Sequence, residues 1–412
     1  MSIFKRSSEV DLLVNKLHNK KIKIVAGLRR CGKTYLLDEL FHRRVVSRHI
    51  VNEDEFFSIY LSDKHKEYRD ADKFKKLLDS NIVKPKIIFI DEVQEVDGYY
   101  KILIDYLKDH PDVDLYVTGS NSNTLSKDIV RHFKEYGDPI YIYPLTFDEI
   151  RKVKRKYSFD DYLRYGGLPD VVNDNKKSST TLEDIYKTLY LLDVKDRANK
   201  EGFLYLSDKD MDDIVDNIFS STTDFSLKKV VDRILKKYKK DKDDVLKFRK
   251  EISDFISILE ESFLIIGMPN TSNRPKAPLD ILGIDKKYYC SDCGIAYFLC
   301  SVKNHKYSVS LETATFLFFK HKGIDMQGYV LLRDNNDKDG EIDFTCNQLG
   351  ENNYYQVTYE INEGDYAREI KIFENFGADI VKNVVYVRNL LPEETGINYL
   401  NAEEFLEDNK KK

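Results

Sequence analysis

The sequence predicts a multidomain α/β protein: a P-loop doubly wound parallel sheet, a helical middle and a second α/β module towards the C-terminal end. Three observations predict it. Residues 21–40, KIKIVAGLRRCGKTYLLDEL, lead from an apolar run through Gly-x-x-x-x-Gly-Lys-Thr into a helical pattern, the order strand, phosphate loop, helix. Residues 86–94, KIIFIDEVQ, form an apolar run ending in two acids, as expected of a buried parallel strand that delivers carboxylates to the ligand-binding edge of an open sheet. Finally, 412 residues exceed one ordinary core, so two or three domains are expected.

Taken in order, residues 1–20 read as one helix with Val10, Leu13, Val14 and Leu17 on a common face. In the phosphate loop, Gly27 and Gly32 let the backbone turn tightly. The amides of Leu28, Arg29, Arg30 and Cys31, with the helix start at Tyr35, form an anion nest for a triphosphate. Lys33 supplies the charge for the β and γ phosphates of ATP, and Thr34 the hydroxyl for Mg²⁺. Residues 56–61 read as a strand that Asp63 ends, and residues 71–79 as a helix. Asp91 then completes the Mg²⁺ shell, and Glu92 is placed to polarise an attacking water, which favours hydrolysis over transfer to another substrate. A helix closing at 107–111 precedes a strand at 114–119. That strand ends in Ser120, a polar side chain at the sheet edge that can meet both the γ-phosphate and the water. Residues 140–143 are the expected fifth strand, ended by Pro144. The guanine-specific Asn-Lys-x-Asp occurs nowhere in the sequence.

Composition narrows the class. Hydrophobic residues at 42% and charged residues at 33% describe a soluble globular chain, and no apolar run reaches the ~18 residues that cross a bilayer. The polar start, MSIFKRSSEVDLLVNKL, shows no signal-peptide core, so a cytoplasmic location without membrane contact is expected. Five cysteines make no disulfide framework. Cys290 and Cys293, a lone Cys-x-x-Cys, are expected to be packing thiols.

Several blocks together carry a resemblance. They are residues 27–34, the IDEVQ strand, residues 118–122 (TGSNS), residues 143–149 (YPLTFDE) and residues 162–169 (YLRYGGLP). In order and spacing they resemble the prokaryotic AAA+ ATPases of the signal-transducing P-loop type, which carry a winged-helix lid and a C-terminal domain of unknown function. That resemblance implies an ATP-hydrolysing core at 1–155 and a helical lid at 156–205. Pro169, in a Gly-Leu-Pro turn of the lid, is then expected near the bound nucleotide. The family often has Gly-Arg where this chain has Gly137-Asp138, which leaves Arg131 as the nearest arginine-finger candidate.

Residues 206–300 read as short helices followed by a strand at 261–268, a winged-helix-like pattern. Within them, residues 226–250 hold eleven Lys or Arg against four Asp, a net of +7 in a chain of net charge −5, and could meet DNA phosphates. Residues 301–412 resemble a restriction-endonuclease-like core, with Glu312 on a helix and Asp343 on the first of two paired strands. Where that resemblance expects Glu-x-Lys, this chain has Gln356-Val-Thr358, so the module reads as an inactive scaffold or protein-binding unit. The expected function is an ATP-driven, Mg²⁺-dependent switch. The alternatives are a DNA-binding regulator latched by ATP and an ATP-dependent nuclease.

Overall fold

The structure is a computed structural model that describes residues 4–62, 64–80, 85–119, 132–174, 179–220, 242–271, 286–333, 339–361, 366–388 and 396–407. Five of its strands make one sheet: β1 (Ile22–Ala26), β2 (Phe56–Tyr60), β3 (Ile87–Asp91), β4 (Asp114–Thr118) and β5 (Gly137–Tyr141). They lie in the order β2-β3-β4-β1-β5, and every neighbouring pair is parallel. β1, β3 and β4 are buried at every residue, which is why their sequences are near-continuous apolar runs rather than alternating ones. Ile24, Ile88, Ile90, Leu103, Val117 and Phe133 share one core cluster on this sheet. Lys23 interrupts the run in β1 and is fully buried, its ammonium paired with Asp114 on β4.

Several boundaries differ from the sequence reading. The first helix is Ser7–Asn15 rather than 1–20, because the chain turns at His18, whose amide is held by Asp114. The fifth strand starts at Gly137, not at residue 140, and contains Pro139. β5 lies at the sheet edge, where a missing N–H costs no ladder bond. The helix after the phosphate loop runs as α-helix Lys33–Tyr35, π-helix Leu36–Phe41 and α-helix His42–Ser47.

The chain divides into two units. The first comprises Met1–Pro144, Thr188–Arg197 and Glu261–Phe263, and the second comprises Leu145–Lys187, Ala198–Glu260 and Leu264–Lys412. In the second, the helix Lys242–Glu261 leads to an antiparallel hairpin of β6 (Ile265–Pro269) and β7 (Lys286–Cys290). The strand expected at 261–268 is thus shorter, because the helix continues to Glu261 and Phe263 takes a left-handed φ of 58°. Of the short helices expected within 206–300, any over 221–241 lies outside the described residues.

Glu312 lies, as expected, on a helix, Lys306–His321, in which every residue from Ser310 to Phe319 is buried. A mixed sheet follows in the order β12-β11-β10-β9-β8, formed by β8 (Met326–Arg333), β9 (Asp339–Gln348), β10 (Glu351–Glu360), β11 (Ile380–Arg388) and β12 (Ile397–Asn401). β9 and β10 are antiparallel, whereas β10, β11 and β12 run parallel. β9 and β10 are joined by Leu349-Gly350, both with positive φ, the backbone twist that joins hairpin strands most tightly.

Asp292 organises another part of this unit. It caps helix Cys293–Leu299 by accepting from the amides of Gly294 and Ile295, and it also accepts from Gly167 N at 2.8 Å. A Cβ on Gly166, whose φ is 74°, would meet Asp292 Oδ1 at 2.0 Å, so the Gly-Gly-Leu-Pro turn takes its shape from this carboxylate. Cys290 and Cys293 are buried thiols. Burial pushes both up, out of the range in which they react.

Candidate nucleotide site

Strand order assembles the site. Because β4 lies between β1 and β3, the C-terminal ends of these three strands open on one sheet edge, and Thr118 stands between the phosphate loop and the acidic pair. Gly27 has a φ of 154°, and a Cβ there would meet the Ile142 carbonyl oxygen at 2.1 Å, so only glycine lets the loop pass. Gly32, with φ 92°, precedes the helix that starts at Lys33. Arg30 also takes a left-handed φ, of 66°. Leu28 and Cys31 are buried under the loop, with Cys31 Sγ 3.5 Å from Ile142 O, while Tyr35 is exposed on the helix.

Lys33 is buried and its Nζ donates to Gly27 O at 2.9 Å and Leu28 O at 3.1 Å. The ammonium therefore lies over the loop's own carbonyls, within a side-chain rotation of an anion bound to its amides. Thr34 Oγ1 donates to Asp91 Oδ1 at 3.1 Å, and Thr118 Oγ1 donates to the same oxygen. Burial pushes the Asp91 carboxyl up, and the two hydroxyl bonds pull it back down. A hydroxyl and a carboxylate in contact at a strand end are hard oxygen donors, and with the loop amides beside them they fit a Mg²⁺-bound triphosphate.

Glu92 adopts φ 58° and ψ 51°, left-handed for a non-glycine residue, and its amide donates to Thr118 Oγ1 at 3.3 Å. The strand ends at that bend. Asp91 stays in the sheet as a buried strand end, while the Glu92 side chain is half-buried and meets Gln94 Nε2.

Three residues of this unit were not singled out in the sequence. Thr118 belongs to the TGSNS block, but its link to both acids depends on the neighbouring strand. Arg6 is buried and donates to Cys31 O at 2.8 Å and to Tyr143 O, bracing the loop from below. Asp193, on the π-helix Thr188–Lys195, accepts from Arg29 Nη1 at 3.0 Å. No local pattern marks any of these contacts.

The remaining candidates are placed as follows. Ser120 and Arg131 lie outside the described residues, as does Asp63. Pro169 opens the helix Pro169–Asn173 in the second unit. Of the basic stretch 226–250, residues 226–241 lie outside the described residues, and the rest belongs to the helix Lys242–Glu261. In the C-terminal module, Glu312 and Asp343 do come together, joined by Glu341. Thr358 stands where the resemblance expects lysine, but a lysine reaches the two acids from elsewhere in the chain. Lys287 reaches both acids from β7, a strand assigned in the sequence to the preceding domain. No helix of the described residues is long and apolar enough to cross a membrane.

Residues 19–151 match the family model described as "AAA domain", and residues 156–306 match one described as a domain of unknown function (DUF8612). An "uncharacterized protein" of Methanocaldococcus jannaschii is 26% identical, covering 98% of this chain and 88% of its own length. A second, from Haemophilus influenzae, is also 26% identical over 93% and 94% of the two chains. Among solved structures, a DNA polymerase III gamma subunit-related protein of Thermotoga maritima is 11% identical over 61% of this chain and 92% of its own, with a TM-score of 0.27. The first unit is thus similar in sequence to AAA-type nucleotide-binding domains, and its parallel sheet and phosphate loop agree with that class.

Proposed function

We propose that the chain binds ATP with Mg²⁺ and hydrolyses it, as a switch whose nucleotide state is passed to a partner through the second unit. The observation that supports this most is the contact of Thr34 with Asp91, with Lys33 held over the loop carbonyls. In this reading the backbone of residues 27–34 cradles the phosphates, and Lys33 leaves its two carbonyls for the β and γ oxygens. Thr34 and Asp91 would hold Mg²⁺, which would supply the positive charge that offsets charge on the phosphates. Glu92 takes the proton of a water held in line with the γ-phosphate. Ser120 and Arg131 are kept as contacts to the water and the leaving phosphate, and Pro169 as a lid contact to the nucleotide.

We extend the reading to four parts: the ATPase at 1–155, a lid at 156–205, a winged-helix-like segment at 206–300 and a nuclease-like module at 301–412. The test begins with binding. Millimolar Mg-ATP should raise the melting temperature of the wild type, because a ligand that binds only the folded state stabilises it by mass action. Lys33→Ala should abolish that rise. A wild type that does not respond to Mg-ATP refutes the proposal.

A further inference from the structure

The nuclease-like resemblance implies a divalent metal held by Glu312 and Asp343, and the residues present do not fit one. Lys287 Nζ sits among the carboxylates of Glu312, Glu341 and Asp343, bonded to all three, at 2.6 Å from Glu341 Oε1 and 3.2 Å from Asp343 Oδ1. An ammonium has three N–H donors, and here three carboxylates face them. The carboxylate oxygens lie within 4.8 Å of one another, the spacing of ligands around one small cation. Their centre is therefore occupied by nitrogen.

The surroundings complete the tripod. Tyr289 OH donates to Glu312 Oε1 at 2.7 Å, and Val357 N donates to Asp343 Oδ2 at 2.7 Å. All four charged residues are at most 9% exposed. Gln356 lies next to Val357 on β10, and its Nε2 donates to Glu369 at 2.7 Å. Its buried Oε1 accepts no hydrogen bond among the described residues. Lys287 Nζ engages one oxygen of every acid in the group and so stands where the three carboxylates converge.

We propose that Lys287 is the resident cation of this site. It closes the acidic tripod to divalent ions and ties the β6–β7 hairpin to β9 and the 306–321 helix, and its withdrawal opens a hard-oxygen site for Mg²⁺ or Mn²⁺. The inference does not depend on ATP hydrolysis. With Lys287 removed, three buried acids would face one another with no cation between them, and a divalent ion taken up by their oxygens would replace it.

The probe is Mn²⁺ alone, titrated calorimetrically into the nucleotide-free full chain. Wild type and Asp343→Asn are expected to bind Mn²⁺ indistinguishably. Lys287→Met should gain one equivalent, lost again in Lys287→Met/Asp343→Asn, and Mn²⁺ should raise the melting temperature of Lys287→Met alone. Should Lys287→Met fail to fold, Lys287→Gln keeps an N–H donor in place and is expected to gain the same equivalent. An equivalent bound by the wild type and removed by Asp343→Asn overturns the proposal, and so does a folded Lys287 variant that gains none.

Discussion

Thr118→Val tests how the nucleotide site is held together. Valine shares the branched shape of threonine, so the fully buried end of β4 stays filled while the hydroxyl disappears. Two hydrogen bonds go with it, the donation to Asp91 Oδ1 and the acceptance from Glu92 N. A bond to a charged group contributes about 1.5–3 kcal/mol net, and an amide left without its acceptor adds about 1 kcal/mol, so the first unit should lose roughly 2–4 kcal/mol. The hydroxyl also lowers the Asp91 carboxyl against the upward push of burial, so its removal raises that carboxyl further and moves the acid limb of the pH–rate profile to higher pH. Because the same hydroxyl holds the left-handed Glu92 backbone, turnover should fall by about ten- to a hundredfold with little change in KM. Urea denaturation followed by circular dichroism, together with steady-state phosphate release, measures both effects. Unchanged stability would show that the bridge contributes nothing. Lost stability with wild-type turnover and pH profile would show that Thr118 supports the sheet and not the chemistry.

Two further predictions use the same reasoning. Glu92→Gln removes the base while keeping its shape, so phosphate release should fall by about 10² or more while Mg-ATP still raises the melting temperature; wild-type turnover would mean that another residue positions the water. Burial pushes the Asp292 carboxyl from 3.8 to about 6, against the pull of its amide donors. A raised folded-state value means that its stability contribution is present below about pH 4 and lost as pH rises through 6, a change of about 3 kcal/mol. The urea-midpoint advantage of the wild type over Asp292→Asn should therefore shrink from pH 4 to pH 7, and a constant difference would refute the assignment.

How much of this was legible follows from where each interaction lies along the chain. The apolar runs of β1, β3 and β4 show in the sequence because both faces of each are buried, so no alternation hides them. Boundaries were less legible, since tertiary contacts override propensity. His18 turns where Asp114 holds it, and Pro139 sits in a strand because that strand is an edge. Phosphate-loop geometry is local: Gly27, Gly32 and Lys33 lie within seven consecutive residues, and their backbone needs can be read directly.

Contacts across strands cannot be read that way. Thr118 meets Asp91 across 27 residues only because β4 inserts between β1 and β3. Lys287 reaches Glu341 across 54 residues, from a hairpin that the sequence assigned to the preceding domain. The sequence by itself determined the phosphate loop, the acidic strand end and the α/β class, because each rests on hydrophobic runs or backbone conformations set by neighbouring residues. Only the tertiary structure decided which hydroxyl holds Asp91 and which cation fills the acidic tripod. Hydrogen bonds and ion pairs act over about 3 Å in space and carry no trace of their separation along the chain.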